Sequence, residues 1–224
     1  MNSQVRSERN VVGKGILVFL SLGVAAYAAF AYTVVPLGAM VTPEMQQVFV
    51  THPIGIYGHI AGGVIALILG PFQVYSRLRA AAPKVHRWIG RVYLLVGGIG
   101  IGVFGLYMSQ YAYGGIVGRL GFGALAICWI YCAVRAYVAI RQGAIQKHRK
   151  WMVRGFSLTF AAVTLRIYLP LSAVAGVDFA VAYPMIAWLA WVPNLIVAEW
   201  LFNTAQGGVR RQAAVSASAR SSDR

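Results

Sequence analysis

Four histidines and one arginine are the residues of this chain whose types and positions bear on chemistry. His86 lies in Lys84-Val85-His86-Arg87-Trp88 and His148 in Lys147-His148-Arg149-Lys150-Trp151, two versions of one pattern, each followed by a further arginine, Arg91 or Arg154. Two imidazoles from different helices at one depth are what a bis-histidine haem b requires, because iron takes one axial nitrogen from each face of the macrocycle. Guanidinium holds carboxylates bidentately, so Arg87, Arg91, Arg149 and Arg154 are candidates to pair with haem propionates. The alternative is that these histidines meet lipid phosphates or backbone carbonyls, with Trp and Arg acting as interface anchors.

His52 and His59 are seven residues apart and fall on nearly one helical face, at about 100° per residue. Pro53 suits a first helical position, which leaves His52 near the cap. Gln73 continues the same stripe, and Gly55, Gly62, Gly63 and Gly70 lie near it as small residues against which another helix can pack closely. Arg166, fifteen residues after Trp151, is placed about 22 Å into a hydrocarbon core of roughly 30 Å. His59 reaches a similar depth from the other direction. A charge so deep is expensive and usually faces a bundle interior. The expected outer polar site is therefore His52, His59, Gln73 and Arg166, with Tyr57 or Tyr168, open to an anionic or quinone substrate. Snorkelling of Arg166, or its pairing with Asp178 or Gln110, is the structural alternative.

Other groups read as structural. Glu199 is expected to pair with a cation of the basic rim. Cys128 and Cys132, four apart, read as small packing residues. No Walker loop, dinucleotide fingerprint, His-Glu-x-x-His or Gly-x-Ser-x-Gly motif occurs, so no catalytic residue is assigned and no metal is expected beyond a haem iron.

The elements that must position these residues follow from composition. The 224 residues are 59% hydrophobic and 11% charged, where a soluble domain carries about a quarter charged residues. That excludes a soluble globule. Apolar runs near 15–36, 54–75, 89–109, 115–139, 155–176 and 179–202 are each about as long as a helix that crosses a bilayer. An all-α integral membrane bundle of six transmembrane helices is expected, since lipid leaves backbone polar groups no partner outside the helix. The first run follows a basic leader as a signal peptide would, but it continues to Pro36, which favours a retained helix. The division is a leader at 1–14, a transmembrane domain at 15–204 and a basic, disordered tail at 205–224.

The net charge of +15 then records orientation. Of the 20 cations, 17 fall before the first run, in the second–third and fourth–fifth connections, or in the tail. The opposite connections hold only Arg119, while Arg135 and Arg166 lie within runs. By the positive-inside rule both termini are cytoplasmic, in a bacterial inner membrane, and the charge is no nucleic-acid surface.

With these motifs in view, the stretch from about His52 to Trp200 resembles a family of uncharacterised bacterial multi-pass membrane proteins, a domain of unknown function. The likeness is carried by Gly70-Pro71-Phe72-Gln73, by His86-Arg87-Trp88-Ile89-Gly90-Arg91-Val92-Tyr93, and by the stretch from His148-Arg149-Lys150-Trp151-Met152 through Thr164-Leu165-Arg166. A looser resemblance is to the cytochrome b561 type, through His52-Pro53, Val74-Tyr75-Ser76-Arg77 and His86. It implies a six-helix bundle with two b haems, but the fourth helix here has no histidine, so one inner haem is all that carries over. Two functions are consistent with the sequence. One is a b-haem-binding or quinone-linked redox protein; the other is a non-enzymatic bundle, a small-solute permease or an assembly factor for another membrane complex.

Overall fold

The computed structural model describes residues 3–74 and 80–200. The tail at 205–224 and the residues Tyr75, Ser76, Arg77 and Arg79 lie outside the described residues. Among the described residues the regular structure is all helical: α1 (Ser3–Thr33), α2 (Pro43–Thr51), α3 (Pro53–Val74), α4 (Pro83–Leu94), α5 (Ile101–Ser109), α6 (Gly115–Arg141), α7 (Ile145–Thr159), α8 (Ala161–Val174) and α9 (Phe179–Leu189). A last helix, α10, occupies 192–200.

Six of the resulting stretches are long and apolar enough to cross a membrane: Gly13–Thr33, Pro53–Gln73, Pro83–Ser109, Gly115–Arg141, Ile145–Val174 and Phe179–Trp200. The third and fifth begin earlier than hydropathy places them, at Pro83 rather than 89 and at Ile145 rather than 155. Apolar content marks where a helix enters hydrocarbon, not where its backbone starts. Pro83 suits the first turn, and the basic residues that follow are good helix formers. His86 and His148 consequently lie inside α4 and α7.

Each break in a span has a local cause. Pro193 lacks an N–H and would crowd the carbonyl four residues back, that of Leu189, where α9 ends. The π-helical turn Leu95–Gly100 falls in the glycine-rich run Leu95-Val96-Gly97-Gly98-Ile99-Gly100. Between α7 and α8 the chain tightens at Phe160, whose carbonyl accepts from both Val163 N and Thr164 N. The groups freed at 160 and 190 are served by one polar cluster. Asn194 Nδ2 donates to the Ala190 carbonyl (2.9 Å), to Thr164 Oγ1 (3.1 Å) and to the Ser157 carbonyl (3.3 Å). Thr164 Oγ1 in turn donates to the Ala190 carbonyl (2.5 Å). Internal partners of this kind are what non-helical backbone needs at membrane depth.

Packing is densest between α6 and α7, along α1 and α3, and between α5 and α6. The glycine stripe of α3 sets its approach to neighbours: a Cβ on Gly62 would stand 2.6 Å from Ile101 Cγ1. Two buried groups, Ala66 and Ile101, fix that seam.

Glu199 has the basic-rim partner expected of it. Arg154 grips it bidentately through Nε on Oε1 and Nη2 on Oε2, the latter at 2.8 Å, and lies 4.4 Å above the Trp151 ring. With side chains 21% and 40% exposed, the pair is worth about 1 kcal/mol, the upper end for such ion pairs. A double-mutant cycle of Arg154→Met and Glu199→Gln, read by thermal unfolding in detergent, is expected to give that coupling. A coupling of zero would mean that the contact is geometric only.

Candidate functional site: a cavity inside the bundle

At the end of the bundle remote from the basic rim, the described residues line a cavity of about 360 Å³. All six spans contribute to its wall. His59 comes from α3, Arg166 from α8, Tyr27 and Tyr32 from α1, Trp129 from α6 and Tyr183 from α9. A volume of this size is at the lower end of the roughly 300–1,000 Å³ of small-molecule sites.

Arg166 enters from the second turn of α8, behind the tightened backbone at Phe160. Its Nη1 donates to the Ala162 carbonyl (2.9 Å), and its guanidinium lies 5.4 Å from the Tyr27 ring centroid. Among the described residues no carboxylate pairs with it. Asp178 caps α9 instead, accepting from Ala180 N at 2.7 Å, Glu44 is exposed in the first turn of α2, and Glu199 is held by Arg154. His59 faces the same cavity from α3 with a buried Nδ1 that has no hydrogen-bond partner. Gly105 makes room for that ring, since a Cβ there would stand 3.3 Å from Nδ1.

A cap covers the cavity at its far end. The chain between α1 and α3 turns at Gly38 (φ +80°), where a Cβ would come within 2.7 Å of Gln46 Cγ. It then forms α2, started by Thr42, whose Oγ1 accepts from Met45 N, and by Pro43. Met45, Val48 and Phe49 of this helix face the cavity. Beside the cap, His52 Nδ1 bonds Tyr107 Oη at 2.8 Å, and the His52 ring stacks on Tyr111 with centroids 3.9 Å apart.

The structure thus brings His59 and Arg166 to one cavity and puts His52 at its rim through Tyr111. Gln73 is elsewhere. It shares the helical stripe of His59, but fourteen residues along α3 is about 21 Å, toward the basic end. There it is buried beside Gly90, with Nε2 lacking a partner. Tyr57 and Tyr168 do not line the cavity; Tyr27, Tyr32 and Tyr183 do. These three were missed because tyrosines in apolar helices are common, and nothing in one chain's spacing tells which helix will face α8.

The expected haem residues are differently arranged. His148 Nδ1 lies 2.9 Å from the Ala136 carbonyl, a bond that would leave Nε2 for a metal, as in many metal-bound histidines. The space does not match. Helices α4 and α7, which carry His86 and His148, form no packed interface; between the third, fourth and fifth spans lies a pocket of about 10 Å³, lined by Tyr93, Trp129, Cys132 and Trp151. Arg154 is committed to Glu199, while Arg87, Arg91 and Arg149 face outward. The pocket between these spans is far smaller than a macrocycle, and the haem pair stays an expectation of the sequence.

Comparison with known proteins yields a family and no job. No curated protein and no solved structure matches the chain. The family described as predicted membrane protein (DUF2306) matches residues 56–202, from the first turn of the second span through the sixth, and the chain belongs to that family of multi-pass membrane proteins.

Proposed function

We propose that the protein is a membrane-embedded binding protein for a small molecule with an oxygen acceptor head, anionic or carbonyl, held in the cavity by Arg166 and His59. One observation carries this: a cation with no acidic partner and an imidazole with an unpartnered nitrogen line the same cavity. Buried charges are normally paired, and a cation that lines an empty volume with no carboxylate beside it is matched by a ligand with an acceptor head. In this role the basic rim faces the cytoplasm of a bacterial inner membrane and the cavity lies toward the outer leaflet. The chemistry is that of a binding or permease bundle. A quinone remains within the ligand class as a carbonyl-headed molecule.

The test uses the full chain in lipid nanodiscs, with a long-chain fatty acid and a prenylated benzoquinone as separate probes. Binding is read by the thermal unfolding midpoint and by the fluorescence of Trp129, with Trp129→Phe as the control for signal origin. Saturable binding of either probe is expected, and which one binds identifies the head. Arg166→Met is expected to weaken it about tenfold or more, as loss of a charge-assisted hydrogen bond of roughly 1.5–3 kcal/mol implies. Gly105→Ala is expected to weaken it several-fold by crowding His59, and Arg135→Met, on the basic half, to leave it unchanged. Failure of both probes to bind, or equal affinity in Arg166→Met, would overturn the proposal.

A further inference from the structure

Arg135 lies within an apolar run, as Arg166 does, but it takes no part in the cavity. It sits on α6 six residues before Arg141, about 9 Å from the end of the helix, and is exposed on the outside of the bundle. Trp151 lies six residues into α7, at the same height across the short connection that joins the two helices. The Arg135 guanidinium is 5.2 Å from the Trp151 ring centroid and 5.6 Å from that of Tyr131, and its Nη1 donates to Tyr131 Oη at 3.1 Å. Tyr131 and Trp151 themselves meet edge to face, with centroids 5.4 Å apart. Two rings from two spans thus hold one guanidinium in place.

That guanidinium has no anion. Arg154 also lies over Trp151, at 4.4 Å, but its charge is met by Glu199. Among the described residues no carboxylate pairs with Arg135, and of its five N–H donors Tyr131 takes one. An arginine at this depth keeps its stem on apolar surface and turns its head toward the interface, where the acceptor within reach is a phospholipid phosphate. Lys147, one turn nearer the rim on the Trp151 face of α7, is exposed and adds a second positive charge. In the other direction Tyr131 and Ile127 continue an exposed stripe of α6 at four-residue spacing toward the membrane centre, along which an acyl chain can lie. A soluble anion would answer the charge and leave that stripe unused.

We infer that an anionic phospholipid of the leaflet at the basic rim docks on the face shared by α6 and α7, with its phosphate on Arg135 and Lys147 and a chain along Tyr131 and Ile127. A zwitterionic lipid brings the same phosphate together with a cation that the rim repels, so the site prefers a net negative head. It is separate from the cavity and does not depend on the role proposed there.

The experiment is native mass spectrometry of the full chain released from nanodiscs of mixed phosphatidylcholine and phosphatidylglycerol. The retained lipid is expected to be enriched in phosphatidylglycerol over the bulk mixture. Arg135→Met should lower that enrichment about fivefold, the effect of one arginine near a charged surface. Arg141→Met is the matched control: Arg141 has the same local setting, with Nη1 on Tyr137 Oη at 3.2 Å and the ring at 5.9 Å, but stacks on no tryptophan among the described residues. Its enrichment should stay at the wild-type level. If Arg135→Met does not accumulate, Arg135→Lys carries the test, since it keeps the charge and loses the flat stacking, and enrichment should fall about twofold or more. No enrichment in the wild type, equal losses in Arg135→Met and Arg141→Met, or undiminished enrichment in either Arg135 variant would overturn the site. Inorganic phosphate at matched ionic strength should displace none of the retained lipid; displacement would make this a soluble-anion site and overturn the lipid assignment.

Discussion

Arg166→Met is expected to raise the thermal unfolding midpoint of the ligand-free protein while removing its response to ligand. A cation at this depth costs about 2.5–3.5 kcal/mol on insertion scales. Here one carbonyl hydrogen bond and a tyrosine face are its protein partners, without a carboxylate to offset the charge. Methionine keeps much of the length and apolar stem, fits irregular space and needs no partner. If even half of the insertion cost is recovered, a chain of this size gains several degrees, at about 2–4 °C per kcal/mol. A purely structural arginine predicts the opposite sign, because its loss would orphan whatever it holds. Differential scanning fluorimetry of both proteins, with and without the probe that binds, decides the matter: a lower midpoint in Arg166→Met refutes the functional assignment.

The second large effect is at Gly70. A Cβ there would lie 2.5 Å from Phe156 Cδ2 and 3.2 Å from Tyr93 Cε2, and both rings are buried. Neither can retreat easily, since Tyr93 Oη is bonded to Thr159 Oγ1 at 3.0 Å and Phe156 packs toward Phe160. Overpacking of this kind costs about 1–3 kcal/mol for one carbon, so Gly70→Ala is expected to lower the midpoint by several degrees. Gly70→Val should prevent accumulation of folded protein. Phe156→Leu in the Gly70→Ala background should restore most of the loss, which non-additivity in a double-mutant cycle would register. Gly63→Ala, where the nearest atom is Ile101 Cδ1 at 4.0 Å, is the neutral comparison.

The contrast between Gly63 and Gly70 also marks how far a single sequence reaches. Hydropathy places six spans because each must cross the same thickness of hydrocarbon, and depth counting brings Arg166 and His59 to one level because rise per residue is fixed. Angular arithmetic alone misplaced Gln73: a stripe fixes direction around a helix, whereas a site also needs a common height. Which partners complete the cavity depends on contacts between helices far apart in the chain, so Tyr27, Tyr32 and Tyr183 were not readable from spacing. The cap helix α2 was equally hidden, being nine residues of mixed polarity that cross nothing. For Glu199 the need for a cation was legible from charge, and the choice of Arg154 came only with the fold.

The polar cluster around Asn194 carries a consequence for how the chain is assembled. Its amide serves carbonyls on both sides of the α7–α8 and α9–α10 junctions, at Ser157 and Ala190, and meets Thr164 between them. Neither of the last two spans brings all these partners by itself. They are therefore expected to settle in the bilayer as a pair, so that a ribosome-bound chain ending before Asn194 would expose an unfinished fifth span to quality control.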